Sequence, residues 1–247
     1  MANRDLRGKP FETLVTLGES NTWGAWASGE RYRWPNILAR LINEFQAEPV
    51  TLHNKGIGAN VISRRCPNYE VSGKPSALER YREDVIALKP DLVVISYGLN
   101  DMRGGTPVEV FREDLSTIVG DVKAETGAVI VLVSAYYQTA YDRFPPWHVG
   151  TTEAHELFNS CIEQVAAKHD VLFADIYGAC KGADWMIHPD SVHNNDLGML
   201  ICAHRIFETI ARNCSCLSAV AMKGSIAASD EAARRYAETL QKAKEKQ

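Results

Sequence analysis

Asp190 stands three residues before His193 in the stretch Ile187-His188-Pro189-Asp190-Ser191-Val192-His193-Asn194. On a loop entering a helix, that spacing lets the carboxylate reach one imidazole nitrogen and hold its tautomer. The other nitrogen is then free to take a proton from a hydroxyl. His188 is the rival base, but the residue three positions before it is Trp185 rather than an acid. A hydroxyl is offered by Ser20 in Leu17-Gly18-Glu19-Ser20-Asn21, where the alternative role of a serine is to cap a helix. Asn100, in Ser96-Tyr97-Gly98-Leu99-Asn100-Asp101, carries a neutral amide donor of the kind that stabilises a tetrahedral oxyanion. Gly58, in Gly56-Ile57-Gly58-Ala59-Asn60, could bring a backbone N–H to the same oxyanion or simply make a turn.

These groups can meet only if the intervening chain folds in a particular way. Short apolar runs at 13–17, 50–53, 92–96, 129–133 and 171–174 read as strands, and the first, third and fourth are nearly continuous hydrophobes. That pattern suits strands buried on both faces of a parallel sheet. Helical spacing covers 34–45, 153–168 and 196–212. Ser76-Ala-Leu-Glu79 is a capping box that opens another helix, ending before Pro90. Thr106-Pro-Val-Glu109 is a second box, with Thr106 as N-cap, opening a helix to about Thr126 with Gly127 beyond it. Alternating strands and helices predict a doubly wound sheet of five strands in the order 2-1-3-4-5. Each of the four chemical stretches then follows a strand or enters a helix at one sheet edge, where ligands bind in such folds.

With those residues assembled, the sequence resembles the SGNH hydrolases, also called GDSL-type esterases and lipases. The resemblance runs over about residues 11–212. Its four blocks are Gly18-Glu19-Ser20, Gly58 with its neighbours, Gly98-Leu99-Asn100-Asp101, and Asp190 to His193. It implies a flavodoxin-like α/β/α sandwich around a five-stranded parallel sheet. It also implies Ser20 as nucleophile, His193 as base and Asp190 as the residue orienting it. The oxyanion hole would be the N–H groups of Ser20 and Gly58 and the side chain of Asn100. The chain departs from the family in reading Gly-Glu-Ser where Gly-Asp-Ser is usual, which leaves the triad intact but alters loop bracing. It also has Asn194 rather than proline after the histidine.

The reaction expected is hydrolysis of small carboxylic esters through an acyl-enzyme, with O-acetyl groups on carbohydrates among the substrates and with no metal or cofactor. A thioesterase or lysophospholipase-like acyl hydrolase is one alternative, and a non-catalytic binding protein on the same fold is another. Two long segments, 59–75 and 135–151, stand outside the minimal strand-helix plan, and long loops in compact domains are usually functional. They offer Arg64, Tyr136 and Trp147, and with Arg103 these are the expected substrate contacts: arginine for an anionic group, aromatics for a sugar or acyl group.

The 247 residues carry a net charge of −4, with no basic excess of the kind nucleic-acid binders show. No apolar run is long enough for a membrane span. The charged first ten residues lack the apolar stretch of a secretory signal, so the expected compartment is the cytoplasm, where the six cysteines would be free thiols. Residues 1–213 form the expected hydrolase domain. Residues 214–247 form an extension expected to be helical, with a thin stripe of Ala233, Tyr236, Ala237 and Leu240, and a candidate surface for homo-oligomerisation.

Overall fold

The computed structural model describes residues 4–244; the Leu240 side chain lies outside the described residues. Among the described residues five strands are formed: β1 (Thr13–Gly18), β2 (Thr51–Gly56), β3 (Leu92–Ser96), β4 (Val129–Val133) and β5 (Leu172–Ala174). Ten α-helices among the described residues accompany them. They are α1 (Ser20–Trp23), α2 (Trp34–Phe45), α3 (Tyr69–Ser72), α4 (Ala77–Asp84), α5 (Leu99–Arg103), α6 (Val108–Thr126), α7 (Thr152–Lys168), α8 (Ile176–Cys180), α9 (Asp196–Ala211) and α10 (Ala219–Lys244). All strand pairs are parallel and the order is β2-β1-β3-β4-β5, as the pattern predicts.

The central strands follow their composition. Every residue of β3 and β4 is buried, as is all of β1 after Thr13, because helices cover both faces. On one side α2 packs against α9; on the other α6 packs against both α4 and α7. Phe11, Leu14, Leu17, Trp34, Leu38, Ile42 and Phe111 are wholly excluded from solvent. Burying each such side chain contributes roughly 1.5–3 kcal/mol, which sets the register of the sheet firmly. The outer strand β2 is only half-buried and runs three residues further than its apolar run suggests, because pairing with β1 continues through Lys55 and Gly56.

Two local readings change. Glu79 accepts the Ser76 N–H at 2.8 Å, so the first capping box forms. The second does not: α6 begins at Val108, Pro107 takes the N-cap position, and no side chain caps the helix. Pro107 at φ −59 and ψ 135 is extended, which delays the helix by one residue. All six cysteines are free and buried. No described helix is long and apolar enough to cross a membrane. The helix α10 is exposed along its described face, Met222, Ile226 and Tyr236 included.

The two glycines of the second block do different work. A Cβ on Gly56 would lie 2.1 Å from the Trp23 amide nitrogen and 2.5 Å from the Thr22 carbonyl carbon, so α1 can approach β2 only over a glycine. A Cβ on Gly58 would meet nothing within 4 Å. Gly56→Ala is therefore expected to destabilise by about 1–3 kcal/mol or more, as overpacking against backbone does. Gly58→Ala should stay within about 0.5 kcal/mol of wild type, like a surface change. Urea denaturation of the two variants checks this; equal losses would contradict it.

Candidate active site

The sheet register brings the site together. Gly18, at the end of β1, lies between Gly56 of β2 and Ser96 of β3. The chain segments leaving these three strands therefore start from one level at the carboxyl edge. Ser20 opens α1 immediately after β1 and is 6% exposed. The loop carrying Asp190 and His193 arrives from the far end of the chain. It is closed on itself by the Ile187–Asn194 bridge and by the His188 N–H donating to the His193 carbonyl at 2.7 Å. It is docked on α1 by the Asn194 N–H, which donates to Asn21 Oδ1 at 3.0 Å.

His193 Nε2 lies 2.8 Å from Ser20 Oγ, and His193 Nδ1 lies 2.6 Å from Asp190 Oδ2. The other oxygen of Asp190 accepts the N–H groups of Val192 and His193, both at 3.0 Å. Burial works against ionising Asp190, but the hydrogen bonds from the His193 ring and from these two amides outweigh it and hold the carboxyl well below its usual range. An ionised Asp190 keeps the proton on Nδ1 and leaves Nε2 as the acceptor for the Ser20 hydroxyl. His188 is otherwise employed. Its ring stacks on Trp26, with centroids 4.9 Å apart and planes within 4°, and its Nδ1 accepts the Asp190 N–H at 3.2 Å.

The Asn100 side chain donates one N–H to the Asn60 carbonyl at 3.0 Å and borders the same cavity as Ser20 and His193, leaving its second N–H for a ligand. Of the second block, Ala59 rather than Gly58 borders that cavity. Ala59 has φ +55, a left-handed conformation uncommon for a residue with a side chain. Ser20 and Ala59 thus border one cavity together. A sequence search for a glycine passes over Ala59, whose sign is a positive φ visible only in three dimensions.

Ionisable groups lie under these loops. Arg80, 7% exposed, donates to the Gly18 and Lys55 carbonyls, to Asn60 Oδ1 and to the Tyr97 hydroxyl, and pairs with Asp84 at 2.7 Å. It ties the ends of the first three strands together, and no motif singled it out. Glu19 and Asp101 are both fully buried near each other. Burial pushes the Asp101 carboxyl up to about 7, against the opposing pull of the Ile62 N–H that it accepts at 3.1 Å.

The cavity over Ser20 is about 280 Å³, bordered by Trp26, Ala59, Asn100, Arg103, Phe144, Trp147, Val192 and His193. A larger groove of about 710 Å³, between α7, α8 and α9, contains none of the residues expected to do chemistry. Of the four expected substrate contacts, Trp147 and Arg103 border the cavity. The Arg103 guanidinium is already committed: it donates to Gln138 Oε1 at 2.6 Å and to the Arg143 carbonyl at 2.5 Å, fastening segment 135–151 over the site. Arg64 lies outside the cavity, paired with Glu79 and lying over the Tyr69 ring. Tyr136 is a core residue, 2% exposed, with its hydroxyl taking a hydrogen bond from Ser96 Oγ at 3.0 Å. Sequence reasoning missed Trp26; Phe144, in the aromatic segment 135–151, also borders the cavity, and both are at least half exposed. Among the described residues no group of three or more His, Cys, Asp or Glu side chains is placed to hold a metal ion.

The model of the GDSL-like lipase/acylhydrolase family matches residues 16–201. No curated protein matches the chain in sequence. Among solved structures, a lipase/acylhydrolase from Enterococcus faecalis aligns with TM-score 0.65 at 23% identity, over 81% of this chain and 95% of its own. An acetylxylan esterase from Geobacillus stearothermophilus aligns with TM-score 0.60 at 21% identity, over 82% of this chain and 95% of its own. At these identities the likeness is one of fold.

The buried acids make stability depend on pH. An unfolded chain releases the Asp101 proton near 3.8, whereas the folded chain keeps it to about 7. Between those values unfolding releases a proton, so stability falls as pH rises, by up to about 1.4 kcal/mol per pH unit for one group, and levels off above 7. Glu19, raised by burial and by Asp101, adds to the same slope. Urea midpoints from pH 4.5 to 8 should show this decline in wild type and a shallower one in Asp101→Asn; identical slopes would rule Asp101 out as its source.

Proposed function

The chain belongs to the GDSL-like lipase/acylhydrolase family, and from that premise we propose that Ser20, His193 and Asp190 carry its serine ester hydrolase chemistry on small carboxylic esters. The observation that carries this reading is the unbroken pair of contacts, 2.8 Å from Ser20 Oγ to His193 Nε2 and 2.6 Å from His193 Nδ1 to Asp190, at the floor of a cavity. His193 takes the Ser20 proton as Oγ attacks the ester carbonyl. The developing oxyanion lies against the Ser20 N–H, the Asn100 side chain and an N–H of the second block, where Ala59 at the cavity is favoured over Gly58. His193 returns the proton to the leaving alcohol, and water releases the acyl group by the same steps.

The substrate is a short acyl ester of a carbohydrate or similar alcohol. A cavity of about 280 Å³ is at the small end for ligand sites. Trp26, Phe144 and Trp147 give it aromatic walls on which a sugar ring can stack. The acetylxylan esterase among the structures of similar fold is in keeping with this class. A thioesterase or lysophospholipase-like hydrolase would differ in favouring long acyl chains. A binding protein without catalysis would have no use for a base aligned on Ser20. The tail helix is proposed as a self-association surface: residues 222, 226, 229, 233 and 236 repeat at the spacing of a helix-pair seam. In an antiparallel pair, Lys223 of one copy can face Asp230 of the other beside that seam.

Hydrolysis of p-nitrophenyl esters from acetate to palmitate should be fastest at the short end and absent in Ser20→Ala. A maximum at long chains would favour the lysophospholipase-like reading, and no cleavage together with no fluorophosphonate labelling would favour the binding protein. Asn100→Ala should lower kcat on the order of 10²–10³-fold if its amide holds the oxyanion. An unchanged kcat would remove it from the hole.

A further inference from the structure

Glu19 stands where the family usually has aspartate, and its longer side chain has a specific use. Its backbone is extended at φ −94 and ψ −157, its neighbour Ser20 opens α1, and the side chain is 1% exposed. It crosses from the end of β1 to the end of β3, where Oε1 accepts the N–H groups of Gly98 at 3.2 Å and Asn100 at 3.1 Å. These are the first amides of α5, which has no capping side chain of its own: its N-cap is Gly98 at φ +121. A side chain at Gly98 would press on Phe111 and Ile162, with a Cβ 3.2–3.3 Å from each. Without Glu19 these amides would be buried orphans.

We propose that Glu19 is the positioning residue that sets the spacing between the Ser20 nucleophile and the Asn100 oxyanion donor, by capping α5 from the neighbouring strand. This rests on the esterase reading above. The geometry supports it because one residue serves both partners: its own peptide leads into Ser20, and its carboxyl holds the backbone of Asn100. Aspartate at this position would be shorter by one carbon–carbon bond, ~1.5 Å. Either the hydrogen bonds would be lost or the loop after β3 would shift by that distance, and displacements of about 1 Å at a catalytic group can cost 10²-fold. The titratable groups around Glu19 include Asp101 and Arg103 of α5, Tyr97, Tyr136 and Cys66. Burial first, and then Asp101, push its carboxyl well above the usual range; its Oε1 acts as an acceptor for two amides, a role the amide oxygen of glutamine can imitate.

The test compares Glu19→Gln, Glu19→Asp and Glu19→Ala with wild type on p-nitrophenyl acetate, with thermal melting and fluorophosphonate labelling in parallel. Glu19→Asp and Glu19→Ala should lower kcat on the order of 10–100-fold with KM little changed. Their Ser20 should still label to full stoichiometry, since the contact between Ser20 and His193 does not pass through Glu19. Glu19→Gln should restore kcat to within about threefold of wild type. Wild-type kcat in Glu19→Asp, or a loss in Glu19→Gln as large as in Glu19→Ala, overturns the proposal. A measurement independent of turnover is amide hydrogen exchange in wild type. Gly98 and Asn100 N–H should be protected, and rapid exchange at both refutes the cap even if the variants fail to fold. If wild type cleaves no ester and takes no fluorophosphonate, the esterase reading falls by itself, while the exchange result still decides the cap.

Discussion

The register of β1 between β2 and β3 is the constraint on which the site depends. Gly18 is level with Gly56 on one side and Ser96 on the other. Both contacts are close: a side chain on Gly18 would lie 2.7 Å from the Ser96 carbonyl, and one on Gly56 would enter α1. β1 and β3 are buried on both faces, and a slip of one residue would exchange every side chain between the two helix layers packed against them. Core packing thereby determines where Ser20, Ala59 and Asn100 leave the sheet, although none of the three belongs to the hydrophobic core cluster.

Close approach of three chain ends creates a shortage of hydrogen-bond partners in a dry place. Ionisable side chains supply them. Arg80 donates to carbonyls of β1 and β2, and Glu19 accepts amides beyond β3. Arg103 donates to carbonyls and an amide of the 135–151 segment. Such groups are costly to bury, and each is offset by the number of backbone groups it satisfies. Arg103 illustrates the trade. Burial draws its guanidinium below its usual range, with Glu19 and Asp190 acting in the opposite direction, and in return a long loop is fastened beside the cavity.

The fourth segment is held by other means. Its loop is a small closed unit, with Asp190 accepting from its own backbone and Ser191 at φ +71 turning the chain. It is docked by the Asn194–Asn21 hydrogen bond, the Thr139 N–H donating to the Ser191 carbonyl at 2.9 Å, the Ser28–Asp196 contacts, the Trp26–His188 stack and burial of Val192. A preassembled Asp–His pair is delivered to Ser20 as one body, which is how a contact between residues 173 apart becomes well defined.

Several features were legible in the residues alone because they are local. The spacing of Asp190 and His193 is one; the strands β1, β3 and β4, whose apolar runs state their own burial, are others. The five-strand order followed from the alternation of strand and helix. What depends on distant partners was not legible. Tyr136 reads as a loop aromatic but is buried because Ser96 offers its hydroxyl a partner. Arg64 reads as a free cation but meets Glu79. Ala59, not the glycine beside it, reaches the cavity because the turn after β2 places it there at φ +55. Trp26 acquires a role by stacking on a histidine from the other end of the chain. Side-chain type and short-range spacing are written in the sequence; which face meets which is decided when the core closes and brings partners within hydrogen-bond reach.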